Sequence, residues 1–152
     1  RSALSASILR HSSKCVRKTI DKTEEIKMGA KFFVCEHCGN LVGMIHDAGV
    51  PMMCCGQKMT ALVPNTVEAS GEKHLPAVTV EDGAIHVNVG SVDHPMLPEH
   101  FIEWVYVQTE NGGQRKVLKP GDEPHVTFFL GDDKAVAVYA YCNLHGLWKT
   151  EI

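Results

Sequence analysis

The chain has 152 residues and a mass of 16.7 kDa, enough for one ordinary domain, or for one small and one medium domain. Hydrophobic residues make up 44% and charged residues 22%, which predicts a packed core and excludes global disorder. No apolar run approaches the ~18 residues that span a bilayer, and a net charge of −3 gives no general basic footprint for nucleic acid.

Residues 1–28 differ in character from the rest. The first twenty carry Arg1, Arg10, Lys14, Arg17 and Lys18, five serines and no acid, a composition that fits an organellar transit peptide. The plainer expectation is an upstream stretch without fixed structure, with Met28 as the natural start of the folded protein. Cys15 stands apart from the other cysteines and reads as a free surface thiol. Ser2 to Leu9 is too short and too polar for a secretory core, so the chain is read as cytoplasmic, or as resident in an organelle matrix if the extension is a transit peptide.

From Lys31 the pattern changes. Lys31 to Val34 and Leu41 to His46 read as short strands flanking Cys35-x2-Cys38-Gly39, and Cys54-Cys55-Gly56 follows a turn at Asp47 to Gly49. The segment 29–64 is too small to bury enough apolar surface by itself, so it needs a staple. Four thiolates in two clusters around a hairpin are a usual cage for one tetrahedral metal. Paired disulfides are the rival, disfavoured in an intracellular chain. Adjacent cysteines on a regular strand would face opposite ways, so Cys54-Cys55 must bend to grip one ion. Gly39 and Gly56 are expected to supply positive-φ bends. The spacing suits zinc or iron and does not choose between them.

Residues 65–152 read as strands almost throughout. Ile85, Val87 and Val89 alternate with polar residues, as do Val126, Phe128 and Leu130. Phe101 to Thr109 and Arg115 to Leu118 flank Glu110 to Gly113, a hairpin signal in which the glycines are expected at positive φ. Ala135 to Tyr141 is apolar on both faces, as a central strand would be. Turns at Asp82-Gly83, Pro120-Gly121 and Gly131-Asp132 recur at sandwich-like spacing.

Cys142 and His145 lie three residues apart just beyond that central strand, and His74, His94 and His100 lie at expected strand edges or on Pro- and Gly-bounded loops. Such side chains can converge on one metal. His11, His37, His46, His86 and His125 read as solvated or hydrogen-bonded rings. Glu72 and Lys73, in a loop bracketed by Gly71 and Pro76, read by themselves as an ordinary solvated charge pair.

The run from Phe33 onward resembles desulfoferrodoxin, the two-iron superoxide reductase family. The resemblance is carried by Cys35-x2-Cys38…Cys54-Cys55, Glu72-Lys73-His74, His94-Pro95-Met96 and His100-x2-Glu103-Trp104, and by Leu118-Lys119-Pro120-Gly121-Asp122 and Tyr141-Cys142-Asn143-Leu144-His145-Gly146. It implies a mainly β chain: a desulforedoxin-like domain holding iron on Cys35, Cys38, Cys54 and Cys55, then an immunoglobulin-like antiparallel sandwich. The second iron would take His74, His94, His100 and His145 in its equatorial plane and Cys142 axially. It further implies one-electron reduction of superoxide to hydrogen peroxide, with Lys73 attracting the anion and Glu72 closing the sixth position of the ferric state. A rubredoxin-like donor and a homodimer are implied as well. Two readings of other classes compete: a tetrathiolate-iron electron carrier, and a zinc-stapled binding module without catalysis. Neither needs four histidines and a cysteine at one point.

Overall fold

A computed structural model describes residues 29–152, so the expectations for residues 1–28, with His11 and Cys15, lie outside the described residues. Twelve strands and one helical turn make up the regular structure of the described residues. Strands β1 (Lys31–Val34), β2 (Leu41–Met44) and β5 (Thr60–Ala61) form a small antiparallel sheet in the order β2-β1-β5. Beside it, β3 (Met53–Cys54) and β4 (Gln57–Lys58) form a two-stranded hairpin. The second strand stops at Met44, short of the expected His46, and leaves Ile45 fully exposed.

The helical turn α1 (Gly71–His74) precedes β6 (Pro76–Glu81) and β7 (Ala84–Val89). Then come β8 (Ile102–Thr109), β9 (Gly113–Val117), β10 (His125–Phe129), β11 (Ala135–Cys142) and β12 (Gly146–Glu151). They build a three-stranded sheet, β10-β7-β6, and a four-stranded sheet, β12-β11-β8-β9. All the pairings are antiparallel. Seven strands in a three-plus-four arrangement give the sandwich that the turn spacing predicts.

Alternation along the strands sorts the core into two layers. Ile85, Val87 and Val89 of β7 meet Val105 and Val107 of β8, Val126 and Phe128 of β10, and Val138, Ala140 and Cys142 of β11 between the sheets. The other face of the four-stranded sheet is covered too. There Trp104, Ala137, Tyr139 and Leu147 pack with Phe32 of β1. This explains why β11 is apolar on both faces: it lies between β8 and β12, with an apolar layer above and below. Phe32 touches three aromatic rings, with centroids 4.9 Å from Trp104, 5.6 Å from Tyr106 and 5.6 Å from Tyr139. Beside it the Ala30 N–H donates to Gln108 Oε1 at 3.0 Å and to the Tyr139 hydroxyl oxygen at 3.1 Å.

The β8–β9 hairpin forms where the sequence predicts it, but for a different reason. Neither Gly112 nor Gly113 has a positive φ. Gly113 is instead pressed under the Tyr106 ring and the Val107 carbonyl, where a Cβ would overlap both. Close approach, not backbone handedness, demands the glycine.

The segment 71–74, expected as a loop, is one turn of helix closed by the Leu75 N–H donating to the Gly71 carbonyl at 2.9 Å. Its seat is Gly90, at φ +90°, where a Cβ would lie 2.8 Å from Lys73 Cα and collide with the Val92 carbonyl oxygen. Val92 N–H and the Ser91 hydroxyl both donate to the Glu72 carbonyl, tying the turn to the loop after β7.

Two outcomes follow for stability. Phe32→Ala is expected to cost about 3 kcal/mol in chemical denaturation, the range for emptying a buried aromatic site; a cost below about 1 kcal/mol would mean that β1 does not depend on the sandwich face. Gly90→Ala is expected to cost about 2 kcal/mol through overpacking and the unfavourable φ. Urea unfolding of the variant checks this, and a wild-type midpoint would show that α1 has another seat.

Candidate metal centres

The hairpin β3–β4 turns through Cys55 and Gly56, at φ +50° and +77°. Two successive positive φ values make a type I′ turn. That turn breaks the strand alternation and brings Cys55 to the same side as Cys54, the bend the adjacent cysteines require. The facing cluster is shaped by Gly39 at φ +76° and by the Gly39 N–H donating to the Cys35 carbonyl at 2.8 Å. The four sulfurs of Cys35, Cys38, Cys54 and Cys55 lie within 4.8 Å of one another, and none is in a disulfide. Cys38 Sγ is 3.7 Å from Cys54 Sγ, which is 3.9 Å from Cys55 Sγ. A tetrahedron with metal–sulfur bonds of about 2.3 Å has edges of about 3.8 Å, so the spacing suits one ion.

Charge makes the same point. The backbone N–H of Cys38 pulls the Cys35 thiol down to about 6. The Cys38 and Cys54 side chains push Cys55 up to about 12, and the Cys38 side chain raises Cys54. One thiolate is favoured and further ones are opposed until a cation neutralises them.

The second cluster gathers five side chains from four chain segments, His74, His94, His100, Cys142 and His145, each offering one ligand atom within 4.8 Å of the others. His74 ends α1, and His94 follows the Gly90 loop, its N–H donating to the Val89 carbonyl at 3.2 Å. His100 closes a tight turn in which it and Leu97 exchange two backbone hydrogen bonds. Cys142 ends β11 and pairs with Gly146, so the three-residue turn between them sets His145 Nδ1 3.6 Å from Cys142 Sγ.

The imidazoles stand at the corners of a square. Successive ring centroids are 4.7 Å (His74–His94), 4.6 Å (His94–His100), 4.8 Å (His100–His145) and 4.7 Å (His145–His74) apart, with His74–His100 at 6.1 Å across the diagonal. His74 Nδ1 donates to the Ser70 carbonyl at 2.7 Å, and His94 Nδ1 donates to the Pro95 carbonyl at 2.6 Å. Both rings therefore keep a lone pair on Nε2. The Nε2 atoms of His94 and His100 are buried with no hydrogen-bond partner, and His74 Nε2 lies 2.9 Å from His145 Nδ1. Burial pushes His94 down to about 4 and lowers His74 and His100, which keeps these rings as neutral lone-pair donors. Imidazole N–H groups tied to carbonyls, with the opposite nitrogens converging and unpaired, are the pattern of metal ligation.

Cys142 is fully buried, whereas His100 and His145 are half-buried, so the cluster opens to solvent away from the thiol. Burial raises the Cys142 thiol, while backbone N–H groups of Leu144 and His145 pull it down. Glu72 and Lys73 are exposed on the turn that carries His74. The other described histidines stay out of the cluster. His37, His46, His86 and His125 are exposed, His86 meeting the Thr127 hydroxyl at 3.0 Å and His125 meeting Asp93 at 3.2 Å. Sequence reasoning missed two further contributors, Trp148 and the Asn143 side chain. Trp148 stacks on His74 with centroids 4.8 Å apart and an interplanar angle of 24°. No local pattern in the sequence shows which ring Trp148 would meet.

Comparison with known proteins agrees with this geometry. The sequence profile of the family described as Desulfoferrodoxin matches residues 66–151. A desulfoferrodoxin homolog of Archaeoglobus fulgidus is 42% identical over 118 residues, 78% of this chain and 94% of that protein. The desulfoferrodoxin of Nitratidesulfovibrio vulgaris is 41% identical over 121 residues, 80% of this chain and 95% of that protein. The crystal structure of the superoxide reductase from Treponema pallidum superimposes with a TM-score of 0.69 at 41% identity, covering 81% of this chain and 99% of that one. With its fold, its two donor clusters and relatives matched over nearly their whole length, the chain belongs to the desulfoferrodoxin family.

Proposed function

We propose that the chain is a superoxide reductase in which residues 29–64 and 65–152 are separate units, each holding one iron. The observation that carries this reading is the square of four imidazoles with a buried thiol beside it, in a member of the desulfoferrodoxin family. His74, His94, His100, His145 and Cys142 would hold the iron, which would supply the one electron that superoxide takes up. The chain does the rest. Lys73, next to His74, puts positive charge at the mouth of a protein whose net charge of −3 would otherwise repel superoxide. Solvent reaches the half-buried rim formed by His100 and His145, so the two protons that complete hydrogen peroxide come from water. The fully buried Cys142 offers its sulfur from the core side, where as a thiolate it would donate electron density to the iron out of reach of solvent. Glu72 offers an exposed carboxylate on a backbone pinned by Ser91 and Val92, and would serve as a further ligand to ferric iron.

Cys35, Cys38, Cys54 and Cys55 would hold the other iron, about which the 29–64 unit would fold. The electron comes from a rubredoxin-like carrier. The working unit is a homodimer, in keeping with the apolar Ile45, Val50 and Met53 exposed on the 29–64 unit. No helix among the described residues is long and apolar enough to cross a membrane. The five cysteines among the described residues are all free thiols, which suits a reducing compartment, and we propose the cytoplasm, or an organelle matrix if residues 1–28 direct the chain there.

Metal analysis is expected to find two irons per chain, and Cys142→Ser to remove the thiolate charge-transfer band of one centre while leaving the four-cysteine centre coloured. With excess electron donor, each superoxide consumed should yield one hydrogen peroxide and no dioxygen. Dioxygen release at half that peroxide yield would mean dismutation, and zinc alone in both clusters would sink the reading.

Lys73→Ala is expected to slow the second-order reaction with superoxide by roughly tenfold at low salt and to flatten its ionic-strength dependence. Glu72→Ala should not slow that step, since removing a negative charge cannot weaken attraction of an anion; it should alter the ferric spectrum instead. Pulse-radiolysis rates across a salt series decide this. An unchanged rate and salt slope in Lys73→Ala would leave Lys73 an ordinary surface charge.

A further inference from the structure

Three of the four imidazoles have an evident local anchor. His74 is held by the Ser70 carbonyl and the Trp148 ring, and His94 by the Pro95 carbonyl. His145 shares a three-residue turn with Cys142. His100 Nε2 is buried with no hydrogen-bond partner, and its ring lies against the other imidazoles of the square. Its backbone, however, is gripped on both sides by one side chain. Asn143 Oδ1 accepts the Phe101 N–H at 2.9 Å, and Asn143 Nδ2 donates to the Glu99 carbonyl at 2.9 Å. The Asn143 N–H adds a third bond, to the Phe101 carbonyl at 3.2 Å. Glu99 and Phe101 are the two neighbours of His100.

The amide's orientation follows from its partners. A backbone N–H can only donate and a carbonyl can only accept, so oxygen must face Phe101 and nitrogen must face Glu99. No other small side chain carries both functions at this spacing. Asn143 also follows Cys142 directly, and its Oδ1 lies 3.9 Å from the Cys142 sulfur. One residue thus joins the segment that carries the Cys142 thiol to the segment that carries His100.

We propose that Asn143 is a positioning residue for the second metal centre: it clamps the backbone on either side of His100 and so sets the reach of that imidazole relative to Cys142 and His145. This rests on the reading that His74, His94, His100, His145 and Cys142 are the ligands. Groups that orient metal ligands from outside commonly change metal affinity by about 10- to 100-fold when removed.

The test is a double-mutant cycle on the full chain, with ferrous iron as the probe. Affinity at the second centre is read by competition with a chromogenic chelator, and the ligand field by the ferric visible and paramagnetic resonance spectra. Asn143→Ala is expected to weaken ferrous binding about tenfold and to shift the thiolate charge-transfer band, with the four-cysteine centre still filled. In a His100→Ala background the same substitution is expected to cost nothing further, because its effect passes through His100. Asn143→Asp fills the same space and still accepts from Phe101, but sets a carboxylate oxygen against the Glu99 carbonyl. It is expected to weaken binding as Ala does, and it serves as the decisive variant if Asn143→Ala does not fold. Wild-type affinity and spectrum in Asn143→Asp, or an equal loss with and without His100, would overturn the clamp. Unchanged affinity in His100→Ala alone would instead overturn the ligand set itself.

Discussion

Lone pairs that converge on one buried point, with no hydrogen bond to meet them, are the constraint on which this fold turns. The Nε2 atoms of His94 and His100 are buried and unpaired, and burial holds the rings of His74, His94 and His100 neutral. Unpaired polar atoms in a protein interior are costly, and a cation is the one partner that serves several acceptors at once. The surrounding structure is arranged to keep these lone pairs pointing inward. Carbonyls of Ser70 and Pro95 take up the opposite ring protons, and Gly90 lets α1 sit close enough for His74 to reach the square. The four-cysteine cluster obeys the same constraint in another form, since four close sulfurs cannot all ionise without a positive charge among them.

The four-stranded sheet transmits this constraint through the chain. Its inner face closes the sandwich core and ends in Cys142, while its outer face carries the aromatic layer that receives Phe32. Trp104 and Tyr141 stack on that outer face with centroids 5.4 Å apart and rings within 5° of parallel. Packing of the small sheet and placement of the thiol are therefore set by opposite faces of the same two strands, β8 and β11. The β-bulge between Tyr141 and Cys142 lies where that regular register gives way to the metal-facing turn.

Much of this was legible in the residue pattern, for local reasons. Period-two alternation located β7 and β10, because one face of each is buried, whereas a glycine-bounded hairpin signal located β8 and apolarity on both faces located β11. The bend at Cys54-Cys55 followed from the impossibility of two adjacent strand residues facing one ion. What stayed hidden depends on partners distant in sequence. The strands β6 and β12 lack strict alternation, and they become strands through pairing with β7 and β11. A single turn such as α1 is too short to show helical periodicity. Gly113 looked like a handedness glycine, but its reason is the Tyr106 ring, seven residues away along the chain. The Asn143 side chain bridges 42 residues to Phe101, and no local pattern announces such a bond. The candidate ligands were readable as residue types; their orientation was not.

The two clusters also differ in how much chain each must gather. The cysteine cage closes over a short hairpin segment, between Cys35 and Cys55. The histidine square instead draws in segments from His74 to His145, and the contact between those two rings spans 71 residues. Loop-closure entropy grows slowly with length, but non-local contacts form late because they reward the chain only once several strands are paired. The cage can therefore take up its metal while the polypeptide is still incomplete or unfolded elsewhere. The square has no geometry to offer until β11 has met β8 and the last hairpin has closed. The cage asks only for one local hairpin, whereas the square asks for a sandwich whose strands are already paired.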